Sequence, residues 1–338
     1  MSATSQMTDF SDLFTSLQNA VRVQTGVQAT ANQAKAMIND ALQDMHIGFR
    51  EGLSWAERSA DLITHPEYTT GTATINQGST SLSGTSTLWD TNNNWSEKNM
   101  RVGGKIVIDG GVEVYEIQAV ASDTAATLTS AFVQANVSAA GYVYFEDEYA
   151  LHADFLRPVD FQSFDINGDI ELIGRTEFRF RYPRNKVTGK PKVGTIVDHP
   201  FSGNTTPVRK IRFWKPTDAA YQIPYAFITN KLAISSTGTA QTSLSDDADE
   251  PIVPLGYRHA IFYHALARWY RDKRDDDRSL EAKAEYTDII LRITGDQEIG
   301  RSRPQFKPRV SPYVSRAKSP YRGRISRYTT GSRFDEIR

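Results

Sequence analysis

The sequence predicts an α+β fold. Its frame is an α-helical bundle built from N- and C-terminal helix pairs, with an inserted small β-barrel or sandwich domain, a second β region and an extended C-terminal arm. Three observations predict it. Apolar residues recur at helical spacing near both ends of the folded part, strand-length runs separated by turn residues fill the middle, and the charge balance reverses after residue 300.

The first helix is read over residues 8–24, where Phe10, Leu13, Phe14, Leu17 and Val21 share one face. Thr8 or Asp9 is placed to cap it and Gly26 to end it. A second helix over Thr30 to His46 presents Ala34, Met37, Ile38, Ala41, Leu42 and Met45 on one side. Residues 70–146 then turn rich in Thr, Ser, Gly and Val. Short runs at Thr72–Ile75, Ser79–Ser83, Lys105–Ile108, Val112–Val120 and Tyr142–Phe145 read as strands, with turns at Asn76-Gln77-Gly78 and Asp109-Gly110-Gly111.

A second β region covers about 154–235. Glu177–Tyr182 reads EFRFRY, an alternation that predicts a half-buried strand. Val208–Trp214 and Tyr225–Leu232 are further strands, and Gly168 and Gly174 bracket a short one. Pro254 stands near the start of an aromatic-rich helix bearing Tyr257, Ile261, Leu266, Trp269 and Tyr270. A charged turn, Arg271–Arg278, leads to a last helix, Ser279–Ile293, with Leu280, Ala284, Ile289, Ile290 and Ile293; Gly295 is placed to terminate it. The expected organisation is 1–66 for the N-terminal helices, 67–150 for the inserted β domain, 151–250 for the second β region, 251–300 for the C-terminal helices and 301–338 for the arm.

Composition narrows the function classes. The 338 residues are 39% hydrophobic and 23% charged, enough to bury a core. The absence of cysteine excludes disulfides, thiolate metal sites and cysteine nucleophiles. No apolar run reaches the ~18–20 residues of a membrane span, and the N-terminus does not read as a secretory signal. A soluble product made in the cytosol is the expectation. The net charge of -1 hides an asymmetry. Residues 301–338 hold eleven Lys or Arg against two Asp or Glu, whereas residues 1–300 hold 28 against 38.

No constellation carries chemistry. None of His46, His65, His152, His199, His259 and His264 forms an HExxH pair, and His259 and His264 do not share a helix face. Asp165-Ile166-Asn167-Gly168-Asp169 departs from the calcium-loop pattern, which needs glycine at position six and glutamate at twelve. Asp275, Asp276 and Asp277 read as an exposed turn. Gly103-Gly104 and Gly110-Gly111 lack phosphate-loop spacing. Trp89, Trp95 and Tyr115 have the chemistry to stack on sugars, with packing in a small β core as the other reading. The expectation is no enzyme, no cofactor and no metal.

The arm carries the strongest local signal. Its basic residues are Arg301, Arg303, Lys307, Arg309, Arg316, Lys318, Arg322, Arg324, Arg327 and Arg333, with Arg338 last. Aromatics interleave them at Phe306, Tyr313, Tyr321, Tyr328 and Phe334, and prolines stand at 304, 308, 312 and 320. Such a segment cannot build its own core. Extended, it reaches ~125 Å at about 3.3 Å per residue. It reads as a docking arm, a nucleic-acid-binding tail or a solvated terminus.

The order of several motifs resembles phage head-to-tail adaptors. The series is IRFWKPTDAA at Ile211–Ala220, Tyr225-Ala226-Phe227-Ile228, Asp249-Glu250-Pro251-Ile252-Val253-Pro254, then GYRHAIFYHALARWYRDK and a charged helix. KAMINDALQDMHIGF resembles the opening core helix of the same proteins. His152-Ala153-Asp154-Phe155-Leu156-Arg157 resembles their LPxDF start, with His-Ala in place of Leu-Pro. Residues 70–146 resemble a β domain of phage virion proteins through Gly84–Trp89, Val102–Gly110, Val114–Ile117, Ser122–Thr124 and Leu128-Thr129.

The resemblance implies a virion protein of the head-tail interface, assembled as a ring, usually a dodecamer, below the portal protein. The ring would continue the channel for packaged double-stranded DNA, without sequence-specific binding, and offer a platform to a downstream tail or neck protein. Family C-termini often enter the portal, which assigns the arm residues named above to portal docking. A tail-tube or tail-completion protein, and a nucleic-acid-binding protein acting through the basic tail, are the alternatives.

Overall fold

In a computed structural model, residues 7–22, 28–48, 53–161, 170–183, 186–198 and 209–300 are described. The chain divides into two compact units, Met1–Ile290 and Leu291–Arg338.

The helical frame expected from the sequence is overturned. Among the described residues helix and strand are nearly equal, at 30% and 31%, and several antiparallel sheets, one of them a curled half-barrel, form the frame. Five α-helices occur among the described residues and do not make a bundle of N- and C-terminal pairs. The physical reason lies in where the apolar side chains go. Two extensive buried clusters belong to sheets, and between Asp276 and Ile290 the last helix buries only Ala282.

Helix α1 (Phe10–Ala20) starts at Asp9, whose carboxylate accepts from the Asp12 amide at 2.8 Å, while the Thr8 amide donates back to Asp12 at 3.1 Å. This reciprocal cap settles the start between the two candidates. The helix ends before Gly26, which lies outside the described residues. Helix α2 (Gln28–Gly48) buries Ala34, Met37, Ile38, Ala41, Leu42 and Met45, the face that periodicity predicts.

Strand β1 (Glu57–Ile63) was not foreseen. After it the chain forms β2 (Thr72–Ile75), β3 (Ser81–Thr85), β4 (Lys105–Ile108), β5 (Tyr115–Ser122), β6 (Ala125–Leu128), β7 (Val137–Ala140) and β8 (Tyr142–Phe145). These seven make one sheet in the order β7-β2-β3-β6-β5-β4-β8. Its two edge strands are joined by Gly141 alone, so the sheet must curl until its edges approach. The expected small barrel or sandwich is thus corrected to a curled half-barrel. Its concave face is filled by Trp89, Ile106, Tyr115, Ile117, Phe132, Tyr142 and Tyr144, among others. Gly104 is required there, because a Cβ would fall 2.2 Å from the Tyr144 hydroxyl.

Strands β9 (Glu148–Ala150), β10 (Phe155–Phe161), β11 (Glu171–Leu172), β12 (Val193–Asp198), β13 (Arg209–Trp214) and β14 (Gln222–Thr229) build two further sheets. One runs β1-β14-β10, the other β11-β12-β13-β9. Between them lie Phe155, Phe161, Ile211, Phe213, Tyr225 and Phe227, with Phe161 stacked on Tyr225 at 4.9 Å. A small sheet of Ala233–Ile234, Ala240–Gln241 and Glu250–Pro251 follows.

The predicted strand EFRFRY is instead helix α3 (Arg175–Arg181). Glu177 pairs with Arg181, and Phe178 meets Tyr182 edge-on at 5.5 Å; both are i, i+4 contacts that only a helix makes. Helix α4 (His259–Asp272) follows a single 3-10 turn at Leu255–Tyr257, directly after Pro254, and packs on α1 and α2. Helix α5 (Asp276–Gly300) starts earlier than expected and runs through Gly295, which does not terminate it. The expected charged turn shrinks to Lys273–Asp275, since its ends belong to α4 and α5. Within the first unit α5 buries only Ala282, and Leu280 is 65% exposed.

Candidate functional site

The expected acidic body is not uniform. Residues 175–215 hold eleven Lys or Arg against two Asp or Glu. The rest of the first 300 residues then holds seventeen against thirty-six. The basic stretch comprises α3, β12, β13 and their connections, so the chain reverses its charge within one part of the fold.

Helix α3 sets the face. Successive residues turn by about 100°, so Phe178 and Phe180 point to opposite sides. Phe178 is buried where α3 packs on β12, and Tyr182 stacks on Trp214 at 4.3 Å. Phe180 is left 87% exposed, with the exposed Arg179 and Arg181 as its sequence neighbours. Arg175 and Lys192 are exposed as well, and Lys210 and Arg212 are half-buried on β13.

Where this face meets the half-barrel, a cleft of about 420 Å³ is lined by Lys105, Glu113, Glu116, Asp147 and Arg212, among others. A neighbouring cleft of about 310 Å³ shares Glu116 and Arg212 and adds Arg175, Arg179 and Lys210. Asp147 is only 2% exposed, and one carboxylate oxygen takes both the Nε and Nη2 of Arg212 at 2.7 Å. Burial pushes its carboxyl up, and Arg212 opposes the shift.

A polar network ties the half-barrel to the second sheet pair. Arg101 Nε and the Tyr144 hydroxyl both donate to Glu146 at 2.6 Å. His65 Nε2 meets Glu97 at 2.8 Å. Thr217 donates to the His65 carbonyl at 2.7 Å and bonds the Tyr149 hydroxyl at 2.6 Å. Burial, then the neighbouring Arg101, lowers the His65 pKa, while Glu146 and Glu97 oppose them. Burial and then Glu146 raise Tyr144 well above its ordinary value. Every charge described in this network has an opposite partner, which suits a joint between two sheets.

The other candidates separate. His264 pairs with Asp44 at 3.2 Å and lies 4.5 Å from the Tyr286 ring, while His259 opens α4 apart from it. Asp276 and Asp277 occupy the first turn of α5, where carboxylates favour the helix dipole. Trp89 and Tyr115 are buried in the half-barrel, so neither is free to stack on a sugar; Trp95 is 54% exposed. Asp165–Asp169 and the arm residues from Arg301 to Phe334 lie outside the described residues. No group of three metal-ligating side chains occurs among the described residues. No helix described is long and apolar enough to cross a membrane.

Sequence reasoning missed the basic face because charge was summed over the first 300 residues. A sliding count over forty residues finds it. It missed Phe180 because a strand would place Phe178 and Phe180 on one side.

The family model for SU10 adaptor protein matches residues 113–309, more than half of the chain. The chain belongs to the SU10 adaptor protein family. It is therefore a phage structural adaptor and a virion component. The SU10 adaptor match opens just ahead of β5, includes strands β9 to β14, α3, α4 and α5, and reaches nine residues into the arm. The whole basic face lies inside it. No curated protein matches the chain.

Proposed function

We propose that the chain is a head-to-tail adaptor that assembles as a ring, expected to be dodecameric, below the portal protein. The ring continues the channel for packaged double-stranded DNA and offers a platform to a downstream tail or neck protein. The arm docks on the portal through its arginines and interleaved aromatics, as extended segments do on grooves and sheet edges. The role is structural and not enzymatic, with no cofactor.

The observation that carries this reading is membership of the SU10 adaptor family across most of the second β region and the last two helices. Charge supports it. A net charge near zero, divided into strongly basic and strongly acidic parts, suits a protein that meets copies of itself and a partner. The test is the mass and symmetry of the purified full chain. A closed ring with one rotational axis is expected. A helical tube would place the protein in the tail, and a monomer at every concentration would remove the ring.

A further inference from the structure

Among the described residues, Phe180 takes no part in the buried core. The 7-residue α3 is clamped by Phe178 beneath it and by Tyr182 against Trp214. Phe180 stands on the opposite side, 87% exposed, between two arginines. A large exposed aromatic flanked by arginine has the composition of an interface hot spot. A phosphate backbone would reward the arginines but not the phenyl ring. A protein surface rewards both.

A surface of that chemistry exists on the same chain. Helices α4 and α5 enclose a groove of about 350 Å³, lined by Tyr263, Leu266, Tyr270, Glu281, Ala282 and Glu285, with Arg278 at its rim. Arg278 is already engaged, over the Tyr270 ring and beside Asp275 at 3.5 Å. The aromatic and aliphatic side chains offer a seat for a phenyl ring. Glu281 and Glu285 are exposed and, on one helix face, offer acceptors for guanidinium groups. From Asp276 to Ile290, α5 carries five carboxylates against two cations and buries a single residue. A helix so little buried is completed by a partner.

We infer that the α3 knob, Arg179-Phe180-Arg181, docks in the α4–α5 groove of a second copy of this chain. Knob and groove are different surfaces, so the contact is head-to-tail and repeats until it closes a ring. The inference rests on the ring proposed above and names the side chains that hold it. The basic strip then faces the acidic surface of its neighbour, and the opposite charges of the two surfaces fix orientation as well as affinity.

The test is sedimentation velocity of the full chain over a concentration series. Phe180→Ala is expected to weaken association by roughly 30-fold or more, the loss of one hot-spot anchor. Its circular dichroism and thermal midpoint should not change, because the ring is exposed. Arg179→Glu with Arg181→Glu should abolish assembly, and adding Glu281→Arg with Glu285→Arg should restore part of it. If the wild type assembles and these variants assemble equally well, the knob and groove are not the contact, and the ring stands without them. Unchanged assembly with lost affinity for duplex DNA would assign the face to nucleic acid instead. A wild type that never assembles overturns both the contact and the ring.

Discussion

Removing residues 301–338 is expected to leave a folded body that no longer binds portal protein. The arm holds eleven cations, five aromatics and four prolines, and too little apolar surface to order itself. A segment of that composition builds no core of its own, so the thermal midpoint should hold. Binding is different. Losing several aromatic anchors with their arginines together should cost on the order of 100-fold or more in affinity for assembled portal. The loss should be graded. Replacing Phe306, Tyr313 and Tyr321 by serine should weaken docking at all salt concentrations, whereas neutralising the arginines should also flatten its salt dependence. A pull-down and a titration on purified portal rings read both. Normal binding by residues 1–300 would refute the assignment of docking to the arm.

Arg258→Ala is expected to destabilise the folded body by about 3–5 kcal/mol, the range for removing one partner from a buried charged network. Its side chain is 8% exposed. The guanidinium donates to the carbonyls of Val253 at 2.9 Å, Pro251 at 3.1 Å, Met7 at 3.4 Å and Thr8, and to the Glu250 carboxylate at 3.0 Å. One side chain thus fastens the residues before α1 to the segment before α4. The Phe10 amide reinforces the junction by donating to the Asp249 carbonyl at 2.9 Å. Alanine would leave four carbonyls without this donor. Lysine should rescue little, because an ammonium cannot reproduce the planar fork. Arg268→Ala supplies the contrast. It breaks only the partly exposed pairs with Asp40 and Asp44, so it should cost under about 1 kcal/mol. Urea unfolding of the three variants measures the differences, and an Arg258→Ala midpoint equal to that of Arg268→Ala would contradict this role.

The sequence made the amphipathic elements legible. Helix α2 buries the six residues that its spacing predicts, and β2, β4 and β8 match their apolar runs residue for residue. Strand β7 escaped because Val-Ser-Ala-Ala lacks alternating large side chains; it is fixed by pairing with β2. Helix α3 was misread because alternation of Phe and Arg outweighed its Glu177–Arg181 and Phe178–Tyr182 spacings, both of which fit a helix. The bundle was overestimated for a related reason. Helical periodicity in α5 shows that one face is apolar, but not that anything covers it. The same two errors concealed the exposed face of α3 and the groove beside α5. The arm is a reading of composition alone, because charge and proline content need no fold to be read.

Placement in the virion is tested most directly by an electron-microscopic reconstruction of the intact phage neck. The half-barrel and the sheets of the second β region are distinctive enough to locate in density. The expected result is a ring of copies directly below the portal, with a C-terminal segment of each copy lying against it. Density for the same fold along the tail tube, at the tail tip, or nowhere in the neck would contradict the head-to-tail role.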